Sequence, residues 1–209
     1  MRRRQFRGPD FIHQIGSAAR QGVLPLLRHF SVMAVALLFV LPVFGQYNSN
    51  DVTPPGSSAG KLTGATSGRQ VGGGSNGHAY LITGNALSAV DLHPQGWASS
   101  IAMSTDDTQQ CGYGYSAATG GNHALLWSGS AATFVDLHNL FTWTYCAGTH
   151  SGQQVGFGER PVYFTTYQHA LLWTGSSASA IDLHPLAYGY SKALGVRDGQ
   201  QVGYGASLP

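Results

Sequence analysis

The sequence predicts an all-β protein made of tandem antiparallel repeat units of about 45 residues. Short segments recur at spacings of 45 and 46 residues along the chain. The composition agrees, because 29 glycines and only 10% charged residues suit short strands joined by tight turns. Helices would need more Ala, Leu, Glu, Lys and Arg.

Each repeat contains three motifs in a fixed order. A His-Ala-Tyr/Leu-Leu segment comes first, an Asp-Leu-His triplet begins thirteen residues after its histidine, and a Gln-Gln-x-Gly-aromatic-Gly segment follows. A position in every copy is more often structural than functional, so these are predicted structural positions. They are His78, His123, His169, Asp91, Asp136, Asp182, His93, His138, His184, Trp127 and Trp173.

The motifs divide the chain into a targeting segment (1–45), a Ser/Pro/Gly-rich linker (46–59) and a β-repeat domain (60–209). The domain comprises a half unit at 60–77 and units at 78–122, 123–168 and 169–209. Each full unit offers four short strand-like pieces, and the Asp198-Gly199 pair predicts a hairpin turn between the last two. Turns too short for a crossover helix indicate an antiparallel meander.

A four-stranded meander repeated in tandem is typical of a β-propeller blade. One such unit cannot bury both faces of its sheet alone, so neighbouring units are expected to stack. Three units and a half are fewer than a closed ring needs. The sequence therefore predicts an incomplete, propeller-like domain whose first half unit lacks its partner strands. A fragment of a longer protein is the favoured interpretation, and pairing with another copy or an open stack are the alternatives. Open strand edges then favour self-association.

The motifs together resemble the HAF-type repeats of exported bacterial proteins. The resemblance rests on His-Ala-Leu-Leu-Trp, on Val/Ile-Asp-Leu-His and on Gly-Gln-Gln-Val-Gly-Tyr-Gly, and it covers about residues 60–209. It implies β-propeller units and offers no catalytic residues. The first unit departs from the pattern, with Ile82 where later copies have tryptophan, and the half unit lacks both the His and the Asp-Leu-His motifs.

The N-terminus predicts export. Six arginines in the first 28 positions precede an apolar run from Val32 to Phe44, and polar residues follow Gly45. This pattern is typical of a signal helix that is removed near residue 45, and the run is shorter than the roughly 20 residues that span a bilayer. The alternative is an uncleaved membrane anchor. The expected location is therefore secreted or at the cell surface.

The Asp-x-His pairs and the two cysteines each allow more than one interpretation. The Asp-x-His pairs could place imidazoles and carboxylates around a metal, but hydrogen bonding inside each unit is the favoured interpretation, and no metal or cofactor is predicted. Cys111 and Cys146 fall at small apolar positions of other copies, which indicates core residues, although export would permit a bridge between units.

The sequence has no His-Glu-x-x-His motif and no phosphate-binding glycine loop. Gly-x-Ser-x-Gly occurs at residues 56–60 and 73–77, in Gly/Ser-rich stretches without the strand-to-helix turn that a catalytic serine needs. Beyond Gly45 the chain has five basic and eight acidic residues, which argues against nucleic-acid binding. The predicted function is a non-catalytic binding or structural module whose partner is an unknown ligand or a surface glycan or protein. The alternative is a fragment of a glycan- or ester-processing propeller enzyme.

Aromatic residues that break the repeat are the candidates for a binding platform, because a carbohydrate would stack on exposed rings. The segment Glu159 to Tyr167 is two residues longer than its counterpart, and loops that depart from a repeat are where function concentrates. An ordinary variable loop is nevertheless the favoured interpretation of this segment. The aromatic residues concerned are Trp97, Phe141, Trp143, Tyr145, Tyr163, Phe164 and Tyr167.

Overall fold

The computed structural model describes residues 52–139, 141–162 and 165–207, and in these residues the predicted all-β class is confirmed. The regular structure consists of β-strands and three single turns of 3-10 helix, at Ala86–Ser88, Ala131–Thr133 and Ser177–Ser179. The predicted signal segment lies outside the described residues. Within them, no helix is long and apolar enough to span a bilayer.

The strands form three four-stranded antiparallel sheets and one two-stranded sheet, each in sequential order. Sheet 1 contains β1 (Gly60–Thr66), β2 (Arg69–Gly74), β3 (Ala79–Thr83) and β4 (Val90–Asp91). Sheet 2 contains β5 (Ser99–Thr105), β6 (Gln110–Ser116), β7 (Gly121–Trp127) and β8 (Val135–Asp136). Sheet 3 contains β9 (Trp143–His150), β10 (Gln153–Val162), β11 (Thr165–Trp173) and β12 (Ile181–Asp182). Sheet 4 contains β13 (Tyr188–Arg197) and β14 (Gln200–Ser207), and the sheets do not close into a barrel.

Each sheet joins the end of one sequence repeat to the start of the next. The strands at residues 60–74 pair with β3 and β4, so the expectation that this half unit lacks partner strands is wrong. The loop between β2 and β3 is only four residues long (75–78), so the two strands pair as neighbours. Gly77 in this loop has a φ of 80°, which favours glycine. In the described chain the two-stranded sheet is the last one.

The hairpin predicted at Asp198-Gly199 is confirmed. Arg197 pairs with Gln200, and the two residues between them have φ values of 50° and 76°, as a type I′ turn requires. The equivalent hairpin of sheet 3 places Ser151 and Gly152 in the same backbone region. By contrast, the fourth strands are only two residues long, because the chain leaves the sheet at each Asp.

A side chain is sterically excluded at both glycines of the Gln-Gln-x-Gly-aromatic-Gly motif, for a different reason at each. A Cβ on Gly112 would overlap the carbonyl oxygen of Ile101, since a β-bulge in β5 pushes that backbone toward β6. The same overlap recurs at the first glycine of sheets 1, 3 and 4. The second glycine, such as Gly158, leaves room for an aromatic ring, here that of Phe141.

Apolar clusters fill the spaces between successive sheets. Trp127 packs with Val71, Leu81 and Leu125 between sheets 1 and 2, and it is fully buried. Trp173 is equally buried between sheets 2 and 3. A third cluster, centred on Val155 and Ala193, lies between sheets 3 and 4. Each sheet thus buries its face only against its neighbours.

Polar contacts at the turns also join sheets 2 and 3. Asp106 Oδ2 accepts the backbone N–H of Ser151 at 3.1 Å, and the Gln154 side-chain amide donates to Gln109 Oε1 at 3.0 Å. Burial raises the pKa of Asp106, but hydrogen bonds from Thr108, Gln109 and Ser151 outweigh this and lower it overall. Both contacts join residues 45 positions apart, which is one repeat.

Candidate functional site

The predicted His and Asp positions lie together in three equivalent clusters. In each, the Nδ1 atom of the first histidine lies 2.7 Å from the Asp Oδ2 atom, and the other Asp oxygen accepts the backbone N–H two residues later. A carboxylate only accepts, so the first histidine donates from Nδ1. The pairs are His78–Asp91, His123–Asp136 and His169–Asp182.

The second histidine of each triplet stacks on the first. The ring centroids are 3.9, 3.7 and 3.9 Å apart in sheets 1, 2 and 3, with interplanar angles of 13° or less. These pairs are His78–His93, His123–His138 and His169–His184. We call the two histidines, their Asp and the hydroxyl described next the histidine cluster.

A hydroxyl from the following sheet completes each histidine cluster. Thr144 Oγ1 in β9 accepts the backbone N–H of Ala124 in β7 at 2.9 Å and lies 3.0 Å from His138 Nδ1. In sheets 1 and 3 the Nε2 atoms of the second histidines face the carbonyl oxygens of Trp97 and Tyr188, which only accept, so in the neutral ring Nε2 carries the proton and Nδ1 accepts from the hydroxyl. Ser100 and Ser191 make the same pair of contacts in the other copies. Each cluster thus ties its sheet to the next one.

Burial disfavours the protonated form of two of these histidines, His138 and His93. Desolvation lowers the pKa of His138, and the neighbouring His123 lowers it further against the opposing Asp136. The pKa of His93 is lowered by burial and by His78 in the same way. The lowered pKa favours the neutral ring of His93 and of His138, in which Nδ1 can accept from the hydroxyl.

Sequence reasoning did not identify the hydroxyl residues. A signal existed, since a Ser or Thr follows the second histidine after seven, six and seven residues. The three copies do not converge on one metal. Among the described residues no three His, Cys, Asp or Glu side chains are placed to hold a metal ion.

Both cysteines are buried as free thiols in the cluster between sheets 2 and 3. Burial raises the pKa of the Cys111 thiol, and a hydrogen bond with Cys146 raises it further. Cys146 Sγ also lies 3.5 Å from the carbonyl oxygen of Val155. The structure therefore has the core-residue arrangement, with the two sulfurs as neighbours.

The prediction that Trp97 and Phe141 break the repeat is wrong. They occupy one equivalent position together with Tyr188, each ring lying over the second glycine of its sheet. Trp97 lies edge-on to His123 at 5.4 Å, and Phe141 lies edge-on to His169 at 5.6 Å. The equivalence is hidden in the sequence because the Phe141 copy is one residue shorter.

The other predicted platform residues separate into two places. Trp143 and Tyr145 lie on β9, where the Tyr145 ring packs between Tyr113 at 5.0 Å and Phe157 at 4.8 Å. Tyr167 lies on β11 with 43% of its surface exposed. Tyr163 and Phe164 lie outside the described residues.

One cleft of about 320 Å³ opens beside the third histidine cluster. Its walls combine two aromatic rings with two charged groups of opposite sign. Its lining residues are Asn139, Phe141, Arg160, Tyr167, His169, Leu171, Ala180 and Asp182.

A side-chain difference between copies creates this cleft. In sheet 2 the Phe134 ring fills the equivalent space and packs on Trp97 at 6.0 Å, whereas sheet 3 has Ala180 there. In the β10–β11 hairpin the pair Arg160 and Tyr167 replaces the pair Ser116 and Gly121 that ends the sheet 2 hairpin, and β10 and β11 continue beyond it. The long segment singled out in the sequence therefore builds one wall of the cleft.

Polar atoms on the cleft wall are already oriented. Asn139 donates its side-chain amide to the Ser177 carbonyl at 2.8 Å, while its Oδ1 atom is buried with no protein partner in the described chain. The Arg160 guanidinium lies 5.4 Å from the centroid of the Phe141 ring. Asp182 Oδ2 accepts a hydrogen bond from His169 Nδ1, and this bond fixes the orientation of the imidazole ring.

Comparisons with protein-family models, with curated proteins and with solved structures give no match to this chain.

Proposed function

We propose that the protein is an exported, non-catalytic binding module built from incomplete β-propeller blades of the HAF-repeat type, which binds a surface glycan in the cleft of sheet 3. The observation that carries the proposal is the contrast between copies. Three histidine clusters are engaged in joining sheets, and the chain departs from its repeat where the cleft opens.

The blade interpretation is supported by the connections between sheets. Each four-stranded sheet follows its sequence order, and its face packs on the next sheet through an apolar cluster. Stacked meanders of this kind are the building units of propellers.

The cleft chemistry supports a sugar ligand. A pyranose ring presents one apolar face and a rim of hydroxyls, and the cleft offers aromatic surface from Phe141 and Tyr167 with hydrogen-bonding groups around it. Asp182 accepts hydroxyl protons and Arg160 donates to ring and hydroxyl oxygens. The mixture of charges also fits a neutral sugar better than a polyanion.

The His169–Asp182 pair supports binding rather than catalysis. An Asp that orients a histidine is also the arrangement of catalytic triads. However, the same pair at the same 2.7 Å distance recurs in sheets 1 and 2, as part of the histidine clusters that join one sheet to the next through the second histidine. A reaction centre would need groups found in this copy alone.

Glycan binding is tested by titrating the purified protein with cell-surface oligosaccharides and following heat or tyrosine fluorescence. We expect saturable binding that Tyr167→Ala weakens at least tenfold, while Tyr115→Ala, a similarly exposed tyrosine of sheet 2, leaves it unchanged. Equal binding by both variants would refute the cleft as the site. Turnover of a bound glycan would refute the non-catalytic assignment.

Export is tested separately by N-terminal sequencing of the mature chain. We expect a start near residue 46, because the apolar run ends at Phe44. Recovery of Met1 in the membrane fraction would instead establish an anchor.

A further inference from the structure

The outer edge of β14 differs from the same edge in the other sheets. In sheets 1, 2 and 3 the second strand is paired on both sides, whereas in the described residues β14 pairs with β13 only. Val202 is 66% exposed, while its equivalents Val71, Cys111 and Val155 are completely buried. The edge therefore presents apolar side chains and free backbone groups together.

An apolar groove of about 400 Å³ runs along this edge. Ala170 and Leu183 of sheet 3 form one side, and the glycines Gly203 and Gly205 of β14 form part of the other. In sheet 2 the same location contains the third strand, where Leu125 lies opposite Gly112 and its side chain reaches Gly114. The groove is thus the unfilled seat of a third strand.

The structure also fixes the register in which a strand would fill this seat. In sheets 2 and 3 the buried glutamine pairs with tryptophan, the next residue with the second leucine, and the first motif glycine with the first leucine. Transferred to β14, these pairings put a tryptophan opposite Gln201 and leucines opposite Val202 and Gly203. The second leucine would then pack beside Val202, as Leu172 packs beside Val155 in the third cluster.

We propose that the β14 edge is a docking site for an extended segment that carries the repeat's own third-strand sequence, His-Ala-Leu-Leu-Trp, supplied from outside sheet 4. The segment adds antiparallel to β14, its backbone completes the hydrogen-bond ladder, and its leucines fill the groove. Three occupied copies of the same seat in this chain support that choice of occupant. The site is independent of the glycan cleft, because the two share no lining residue.

The test uses the full chain and a fluorescein-labelled peptide with the sequence of residues 167–184, which contains the third strand, its turn and the Asp-Leu-His motif. Fluorescence anisotropy at submicromolar concentrations measures binding. We expect saturable binding that falls at least tenfold when the peptide carries Leu171→Asp and Leu172→Asp.

A matched pair of protein variants locates the peptide. Val202→Asp should weaken binding at least tenfold, and Leu194→Asp, on an exposed site away from the groove, should leave it unchanged. Both residues are exposed, so neither change should unfold the chain, and circular dichroism checks this. Absence of saturable binding, equal binding of the Asp-substituted peptide, or a stable dimer whose second copy excludes the peptide would each overturn the proposal.

Discussion

At the scale of single residues, the structure shows how one substitution between copies leaves a polar group without a partner. Gln154 and Gln110 occupy equivalent, fully buried positions, and both accept a glycine N–H through Oε1 at 2.8 Å. The Gln154 amide also donates to Gln109 of the preceding sheet. In sheet 1 the residue equivalent to Gln109 is Arg69, and a guanidinium has no hydrogen-bond acceptor atom. In the described chain Gln110 Nε2 therefore has no protein partner.

Arg69→Gln is therefore expected to stabilise the protein. The new amide oxygen would accept from Gln110 Nε2 and extend the glutamine contact to sheet 1, a gain of about 0.5–1.5 kcal/mol in the free energy of unfolding. Urea denaturation followed by tryptophan fluorescence measures it. The reciprocal change Gln109→Arg should lower stability, and a shift of the same sign for both variants would contradict the explanation.

The depressed pKa values of His93 and His138 predict a stability that depends on pH. Because burial lowers both below the ordinary value of about 6.5, the unfolded chain binds more protons than the folded chain just under that pH. The stabilisation is complete above about pH 6.5 and is lost as pH falls through the lowered values. The lowered pKa of Asp106 acts in the same direction, but only below about pH 4.

We expect the urea midpoint to fall between pH 7.5 and pH 5.5. The double variant His93→Gln, His138→Gln should be less stable at pH 7.5 but show a flatter pH profile. An identical slope in the variant would mean that other groups cause the dependence.

At the scale of elements, the histidine cluster explains why the fourth strands are so short and how one sheet is held to the next. The chain turns out of β8 at Asp136, whose carboxylate accepts the N–H of His138, and this brings the second ring over the first. The ring then reaches a hydroxyl on β9 of the following sheet. A sequence motif within one sheet is thus completed by a residue of the next.

Thr144→Val tests this contact between sheets 2 and 3. Valine has nearly the same shape but leaves the buried N–H of Ala124 and the Nδ1 atom of His138 without a partner, so we expect a loss of about 1–3 kcal/mol. The control is Thr142→Val, at an exposed position two residues away, with little effect expected. Equal melting temperatures for the two variants would show that the hydroxyl contributes nothing to this contact.

At the scale of the whole molecule, the described chain is a row of sheets in which every apolar face needs a neighbour. Residues 52–54 and 60–62 border a pocket on the outer side of sheet 1, where Pro54 is buried. Sheet 4 has an unpaired edge at β14 and exposes Val202 and Tyr204. The free energy available from covering these groups favours association.

We therefore expect the protein to self-associate at concentrations of tens of micromolar. Light scattering on residues 46–209 should give a mass above that of one such chain, and an excess of the 167–184 peptide should lower that mass by occupying the β14 edge. Val202→Asp should also reduce association, whereas Leu194→Asp should not. A monodisperse monomer with a sharp, reversible melt would refute this prediction.

The sequence by itself determined the all-β class, the repeat and the Asp-Gly hairpin, because all three depend on local periodicity and turn chemistry. Only the tertiary structure decided where the sheets begin, since a repeat has the same period whichever strand is counted first. Only the structure showed Ser100, Thr144 and Ser191 as partners of the histidines, and Phe141 as the counterpart of Trp97. The sequence also could not reveal the cleft, because the difference between Phe134 and Ala180 leaves a cavity only when the Phe141 ring and the β10–β11 hairpin are in place around it.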